Sequence, residues 1–336
     1  MANVKPDVES DFQKKIAEKL STVFEATIKD KEEYYRSNPN KIPTRSEVKA
    51  IISACAYKNA AITGSLALIP GPFGLVAAVP EIYLIIKNQI AMVYDLGIAY
   101  GQGKVLKKEV LMYIVVSAMG NATGALAVMQ GSKLLIKRSS LGVMQQLIKK
   151  LAGSIAQKLL KSSVVRFLPL LGAAVLATWT KISTTSIGNK AAEIFEREIE
   201  YDDSSENTDG APESPSSEVV FSDVEIEKER ILCLIALIKA DGQIADEELE
   251  FIKPVIDDLD VLKAEKLTLL NLITSKDKVT YNLEAFKNNT GEAIQLMIEL
   301  VALAKRDSEF HPFEKFLIKQ IGKQLNFSES DIADLL

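Results

Sequence analysis

The sequence predicts an all-α protein made of two helical domains joined by a disordered acidic linker. Three observations carry that expectation. Apolar residues recur at spacings of three and four along most of the chain, with little of the alternation that marks strands. Residues 201–224, YDDSSENTDGAPESPSSEVVFSDV, are rich in Ser, Asp, Glu and Pro and hold too few apolar side chains to offset the entropy of ordering. Charge also divides there: residues 1–192 carry 25 Lys and Arg against 12 Asp and Glu, while residues 193–336 carry 15 against 33, beneath a total of −5. The expected domains are therefore a basic one at 1–200 and a second at 225–336, separated by the linker at 201–224.

In chain order, Phe12, Ile16, Leu20 and Phe24 at spacings of four predict a helix over about 10–37. A second covers about 44–68, and the break IPGPFG at 69–74 turns the chain. A third begins at about Leu75 or Pro80 and ends with Tyr100 and Gly101. Helices are then expected at about 106–119, 121–137, 140–161 and 164–199. Two uncharged stretches, 59–80 and 110–132, are long enough to span a bilayer. The Pro-Gly-Pro break in one and Gly120, Asn121 and Gly124 in the other favour buried core helices, with an integral membrane protein as the alternative.

The sequence excludes much familiar chemistry. It holds one histidine, His311, and neither a P-loop, a G-x-G-x-x-G turn, a G-x-S-x-G elbow nor a C-x-x-C pair. No catalytic residue is assigned. Cys55 and Cys233 lie in apolar stretches of different halves and read as reduced thiols of a cytosolic protein. MANVKPDVESDFQKK has no apolar core behind its first lysine, so no secretory signal is expected.

Between Glu109 and Glu193 there is no acidic residue. Lys133, Lys137, Arg138, Lys149, Lys150, Lys158, Lys161 and Arg166 alternate there with Leu, Ile, Val and Phe, the pattern of a helix lying on anionic headgroups. A peripheral contact with the inner face of the membrane, or with a membrane protein complex, is the functional reading; a solvated basic face that packs its lysine stems on its own core or docks on the acidic second domain is the structural one. Nucleic acid is not favoured, because the span offers few aromatics and no reading motif. The run AAITGSLALIPGPFGLVAAVPEIYLIIKNQIAMVYDLGIAYG, followed by KKEVLMYIVVSAMGNATGALAV, resembles the EcsC family over about 45–195. The resemblance implies a helical module associated with membrane proteins or transport systems, with no catalytic residues to carry over.

The second domain contains an internal repeat. LIALIKADGQIADEELEFIK, from Leu234, aligns without gaps to LVALAKRDSEFHPFEKFLIK, from Leu300, with eight identities in 20 positions at an offset of 66. Asp241 matches Asp307 and Glu248 matches Glu314, and each copy reads as helix, turn, helix. As turn and cap residues, His311 and Ala245 would be N-caps, Glu314 and Glu248 the acids that reach back to them, and Gly242 a left-handed turn residue. As one cluster, the four carboxylates would suit a hard cation such as Ca²⁺, Mg²⁺ or Mn²⁺. ADGQIADEELEFI and RDSEFHPFEKFLIKQIGKQLNFSESDI resemble the two halves of a TerB-like domain, the helical module of tellurite-resistance operons, over about 225–336. The resemblance implies that Asp241, Glu248, Asp307 and Glu314 are the family's acidic, metal-associated positions, with Ser308 where a glycine is often found. The combined expectation is a non-enzymatic, membrane-associated bacterial adaptor in stress or envelope response, binding a divalent metal or a protein partner through its second domain. A metal-dependent hydrolase is the runner-up.

Overall fold

The computed structural model describes residues 6–63, 79–118, 126–130, 132–160, 163–207, 221–287, 289–306 and 310–336. Among these the chain is mostly helical, with one three-stranded sheet. Two compact units divide it: Met1–Lys161 with Trp179–Ser216, and Ser162–Thr178 with Ser217–Leu336. One boundary between them, Ser216/Ser217, falls inside the acidic segment, and the second unit also takes in Ser162–Thr178.

α1 (Pro6–Ser37), α2 (Val48–Thr63), α3 (Val79–Ala99), α4 (Lys108–Ala118) and α5 (Leu141–Leu160) of the first unit fall close to the predicted helices, as does α6 (Ser163–Phe195), which belongs to the first unit from Trp179 onward. The break IPGPFG lies outside the described residues. Ile16, Leu20, Val23 and Phe24 of α1 are buried, as their four-residue spacing requires, and α1 packs on α5 and α3. Gly101 ends α3 at φ 75°, with Gln102 N–H donating to Gly97 O (2.8 Å) and Gly101 N–H to Ile98 O (2.9 Å). This doubly bonded turn needs a left-handed residue, which only glycine adopts freely. An uncharged polar seam joins α2, α3 and α6: Asn59 donates to Thr184 Oγ1 (3.2 Å), Gln89 to the same oxygen (3.1 Å), and Thr63 to Thr180 (2.7 Å).

The expected helix over 121–137 is instead a hairpin of β1 (Ala127–Gln130) and β2 (Lys133–Ser139), joined by the sequence Gly131-Ser132. β3 (Glu198–Asn207) then pairs parallel to β2, so the strand takes the first part of the segment expected to be a disordered linker. Charge explains the pairing. Lys133 stands opposite Glu198 and is ion-paired with it at 2.8 Å, Lys137 stands opposite Asp202, and Arg138 reaches Asp203 at 3.4 Å. Leu134, Ile136 and Ile199 are buried between these charges. The other end of the expected linker is α7 (Asp223–Ile238), capped by Ser222; residues 208–220 lie outside the described residues.

Neither stretch read as a possible span forms one described helix. α2 ends at Thr63 and residues 64–78 are outside the described residues. In 110–132, α4 ends at Ala118 and β1 begins at Ala127, and Val110, Leu111, Met112, Ile114, Val115 and Val116 are core residues. Among the described residues one helix, α3, is long and apolar enough to cross a membrane, with 44% of its most apolar window buried. It also carries Lys87, paired with Asp30 at 3.0 Å, and Asp95, which binds Lys31 and Tyr35 at 2.6 Å each.

The second unit includes α7, α8 (Asp246–Asp258), α9 (Lys263–Thr274), α10 (Glu284–Lys287), α11 (Thr290–Ala304), α12 (Pro312–Gln324) and α13 (Glu329–Leu335). α7 and α11 are its central pair. Leu234, Ile235, Leu237, Ile238, Leu296, Leu300 and Val301 are almost fully buried.

Candidate functional site

The repeat forms two helical hairpins, α7–α8 and α11–α12, and the second helix of each begins with a glutamate that caps its own N-cap residue. In the first, Gly242 takes φ 81° and Asp241 Oδ1 accepts the Gln243 N–H at 2.8 Å, closing an Asx turn. Ala245 is the N-cap of α8, and its N–H donates to Glu248 Oε2 at 2.8 Å. In the second, His311 is the N-cap of α12 and its N–H donates to Glu314 Oε2 at 2.9 Å, while His311 Nδ1 accepts from Phe313 N–H at 3.3 Å. Pro312 occupies the first helical position, where a missing N–H costs nothing. Glu248 and Glu314, 6% and 3% exposed, are therefore inward-facing capping acids at repeat-related positions.

A second matched pair is Lys239 and Lys305, the identical lysines that end α7 and α11. Lys239 Nζ donates to the carbonyls of Leu272, Ser275 and Asp277 at 2.9, 2.8 and 2.7 Å, closing the C-terminal end of α9. Lys305 Nζ donates to Leu335 O at the end of α13 (3.3 Å), and burial pushes its ammonium below the usual lysine range.

Asp307 and Ser308 lie outside the described residues, so three of the four predicted acids can be placed. Asp241 is half-buried in its turn, and Glu248 and Glu314 face inward as caps. Among the described residues no group of three or more His, Cys, Asp and Glu is arranged to hold a metal ion. His311, the chain's one imidazole, is occupied as a helix cap.

Sequence reasoning misses the charged centre of this unit. Arg230 of α7 bonds Glu292 of α11, and its Nε lies 3.9 Å from Glu299 Oε2; Gln295 donates to Glu299 Oε1 at 3.1 Å. Arg230 and Glu299 are 9% and 1% exposed. Separations of 62 and 69 residues leave no local signal for such a network. Burial also pushes the Cys233 thiol well up, away from reactivity.

The predicted membrane-binding cations separate into three groups. Lys133, Lys137 and Arg138 lie on β2 beside the acidic strand β3. Lys149 and Lys150 are exposed on α5, whose Met144, Leu147, Ile148, Leu151 and Ala152 are buried in the unit's own core. That apolar face is not free to enter a bilayer. Lys161 lies outside the described residues, and the side chains of Lys158 and Arg166 are not described. Nearby, a shallow cleft of about 390 Å³ is lined by Lys29, Lys107, Glu109 and Tyr201, among others. Burial, then the adjacent Glu109 carboxylate, pushes the Tyr201 hydroxyl up to about 12.

Comparison with known families now bears on the repeat. Residues 227–336 match the family model described as tellurite resistance protein TerB. This part of the chain is a TerB domain. The match begins within α7 and takes in both hairpins and α13, so the paired capping acids and the paired lysines belong to it. It covers none of residues 45–195, for which the EcsC resemblance remains an expectation. No curated protein and no solved structure matches the chain.

Proposed function

We propose that the chain is a non-enzymatic adaptor in stress or envelope response that holds its TerB domain at an anionic membrane surface on the cytoplasmic side. The observation that carries this reading is the solvent face of α5. Of its exposed residues between Leu141 and Lys150, the only charged ones are Lys149 and Lys150, and no acid neutralises them within the helix. Because the opposite face is committed to the core, attraction comes from charge, at about 1 kcal/mol per lysine near a negative leaflet, and is screened by salt. The test is sedimentation of the full chain with vesicles of mixed anionic and neutral lipid against vesicles of neutral lipid alone. Binding is expected only to the former, reduced several-fold by Lys149→Glu with Lys150→Glu and by 0.5 M salt. Equal binding to neutral vesicles would sink the proposal.

The TerB domain is read as the part that engages a protein partner or a divalent cation. The cation reading rests on the acidic pattern that the repeat carries twice, with Asp241, Glu248, Asp307 and Glu314 as its oxygen donors. Calorimetric titration of the full chain with Ca²⁺, Mg²⁺ and Mn²⁺ tests it. Heat and a raised melting temperature, both lost in Asp241→Asn with Asp307→Asn, are expected. Their absence at millimolar metal would leave partner binding alone.

A further inference from the structure

The repeat gives α8 and α12 equivalent places in their hairpins, yet their exposed stripes are chemically opposite. On α12 the outward positions include Phe313, Phe316, Lys319 and Lys323, and the two phenylalanines are 61% and 66% exposed. Lys315 flanks them, its ammonium 4.7 Å from the centre of the Phe310 ring. The one acid of this helix, Glu314, is turned inward as a cap. Shifted by 66 residues, the positions of Phe313, Phe316 and Lys323 become Glu247, Glu250 and Asp257, all exposed on α8; Lys319 and Lys253 are the pair left unchanged. Ile244, 38% exposed, precedes the N-terminal end of that acidic stripe.

Two exposed phenyl rings one turn apart are the kind of anchor that interfaces bury, and the lysines beside them select an acidic counterpart. The chain itself contains a counterpart of the same length and spacing. We propose that the α12 stripe of one chain docks on the α8 stripe of a second copy. Both stripes face solvent within one chain, and among the described residues their side chains form the ion pairs Lys323 with Glu329 at 2.9 Å and Glu250 with Arg306 at 3.8 Å. Each contact joins two different surfaces. Reciprocal pairing closes a dimer, and one-sided pairing extends into longer species. The inference does not depend on the membrane reading.

The test is sedimentation velocity of the full chain at about 100 μM in low salt, a concentration suited to a small, charge-guided interface. Self-association is expected, weakened at least tenfold by 0.5 M salt and by Phe316→Ala, an exposed substitution whose folding is checked by circular dichroism. Glu247→Lys with Glu250→Lys makes both stripes basic, and Lys315→Glu with Lys319→Glu reverses two of the three lysines of α12. Each variant alone is expected to be monomeric, and their equimolar mixture to restore the wild-type species, a rescue that misfolded protein would not give. A monomeric wild type, or variants that associate as the wild type does, overturns the proposal. Wild type that stays monomeric yet binds anionic vesicles through Phe313 and Phe316 overturns it in favour of a lipid contact.

Discussion

Glu248 and Glu314 each commit one carboxylate oxygen to the N–H of their own N-cap residue, from a buried position. Removing the acceptor leaves a donor near the core unsatisfied. Glu248→Ala should therefore cost about 1–2 kcal/mol in urea unfolding, whereas Glu248→Gln, which keeps an acceptor, should cost about 0.5 kcal/mol or less. Arg230 is the more sensitive residue. Arg230→Met removes the cation that faces both Glu292 and Glu299 and should cost about 3–5 kcal/mol, while adding Glu292→Gln and Glu299→Gln should recover much of that loss. At the start of α7, the backbone N–H and hydroxyl of Ser222 hold the Glu225 carboxyl below its ordinary range. A depressed folded value means that the stabilisation is present above the unfolded carboxylate pKa and is lost as pH falls through the folded one. The melting-temperature gap between wild type and Glu225→Gln should accordingly be open at pH 7 and closed in strong acid.

At the scale of elements, the helices were legible and the sheet was not. α1, α3 and α4 follow apolar spacing, and the end of α3 was marked by Gly101. β2 reads KLLIKRS, where two adjacent leucines and two cations fit a helix face as well as a strand, so composition did not decide. The Gly131-Ser132 pair between short apolar runs was the available hairpin signal. β3 was hidden for a different reason. EIEYDDSSEN looks unfoldable alone, because its acids are stabilised by cations 65 residues earlier that composition cannot see. Glu198→Lys with Asp203→Lys should thus destabilise the first unit by about 1–2 kcal/mol at low salt, and by much less at 0.5 M salt. Tight packing gives an independent check on the same unit. A Cβ at Gly97 would lie 2.4 Å from Leu106 and 2.9 Å from Phe195, so Gly97→Ala should cost about 1–3 kcal/mol with no salt dependence.

For the whole molecule, the repeat that makes up the TerB domain was visible in the 66-residue offset. The capping geometry of His311 and Glu314 was legible, because Pro312 fixes where α12 begins. The Arg230 network, the acidic strand over β2 and the burial of the apolar face of α5 were not, since each depends on partners far apart in sequence. That burial gives the membrane reading its specific form: attachment through the polar face of a folded unit, without insertion. Fractionation of cells producing the full chain tests this most directly. The account predicts protein in the membrane pellet that is released by a high-salt wash without detergent. Protein that leaves the pellet only in detergent, or that never enters it, would contradict the account.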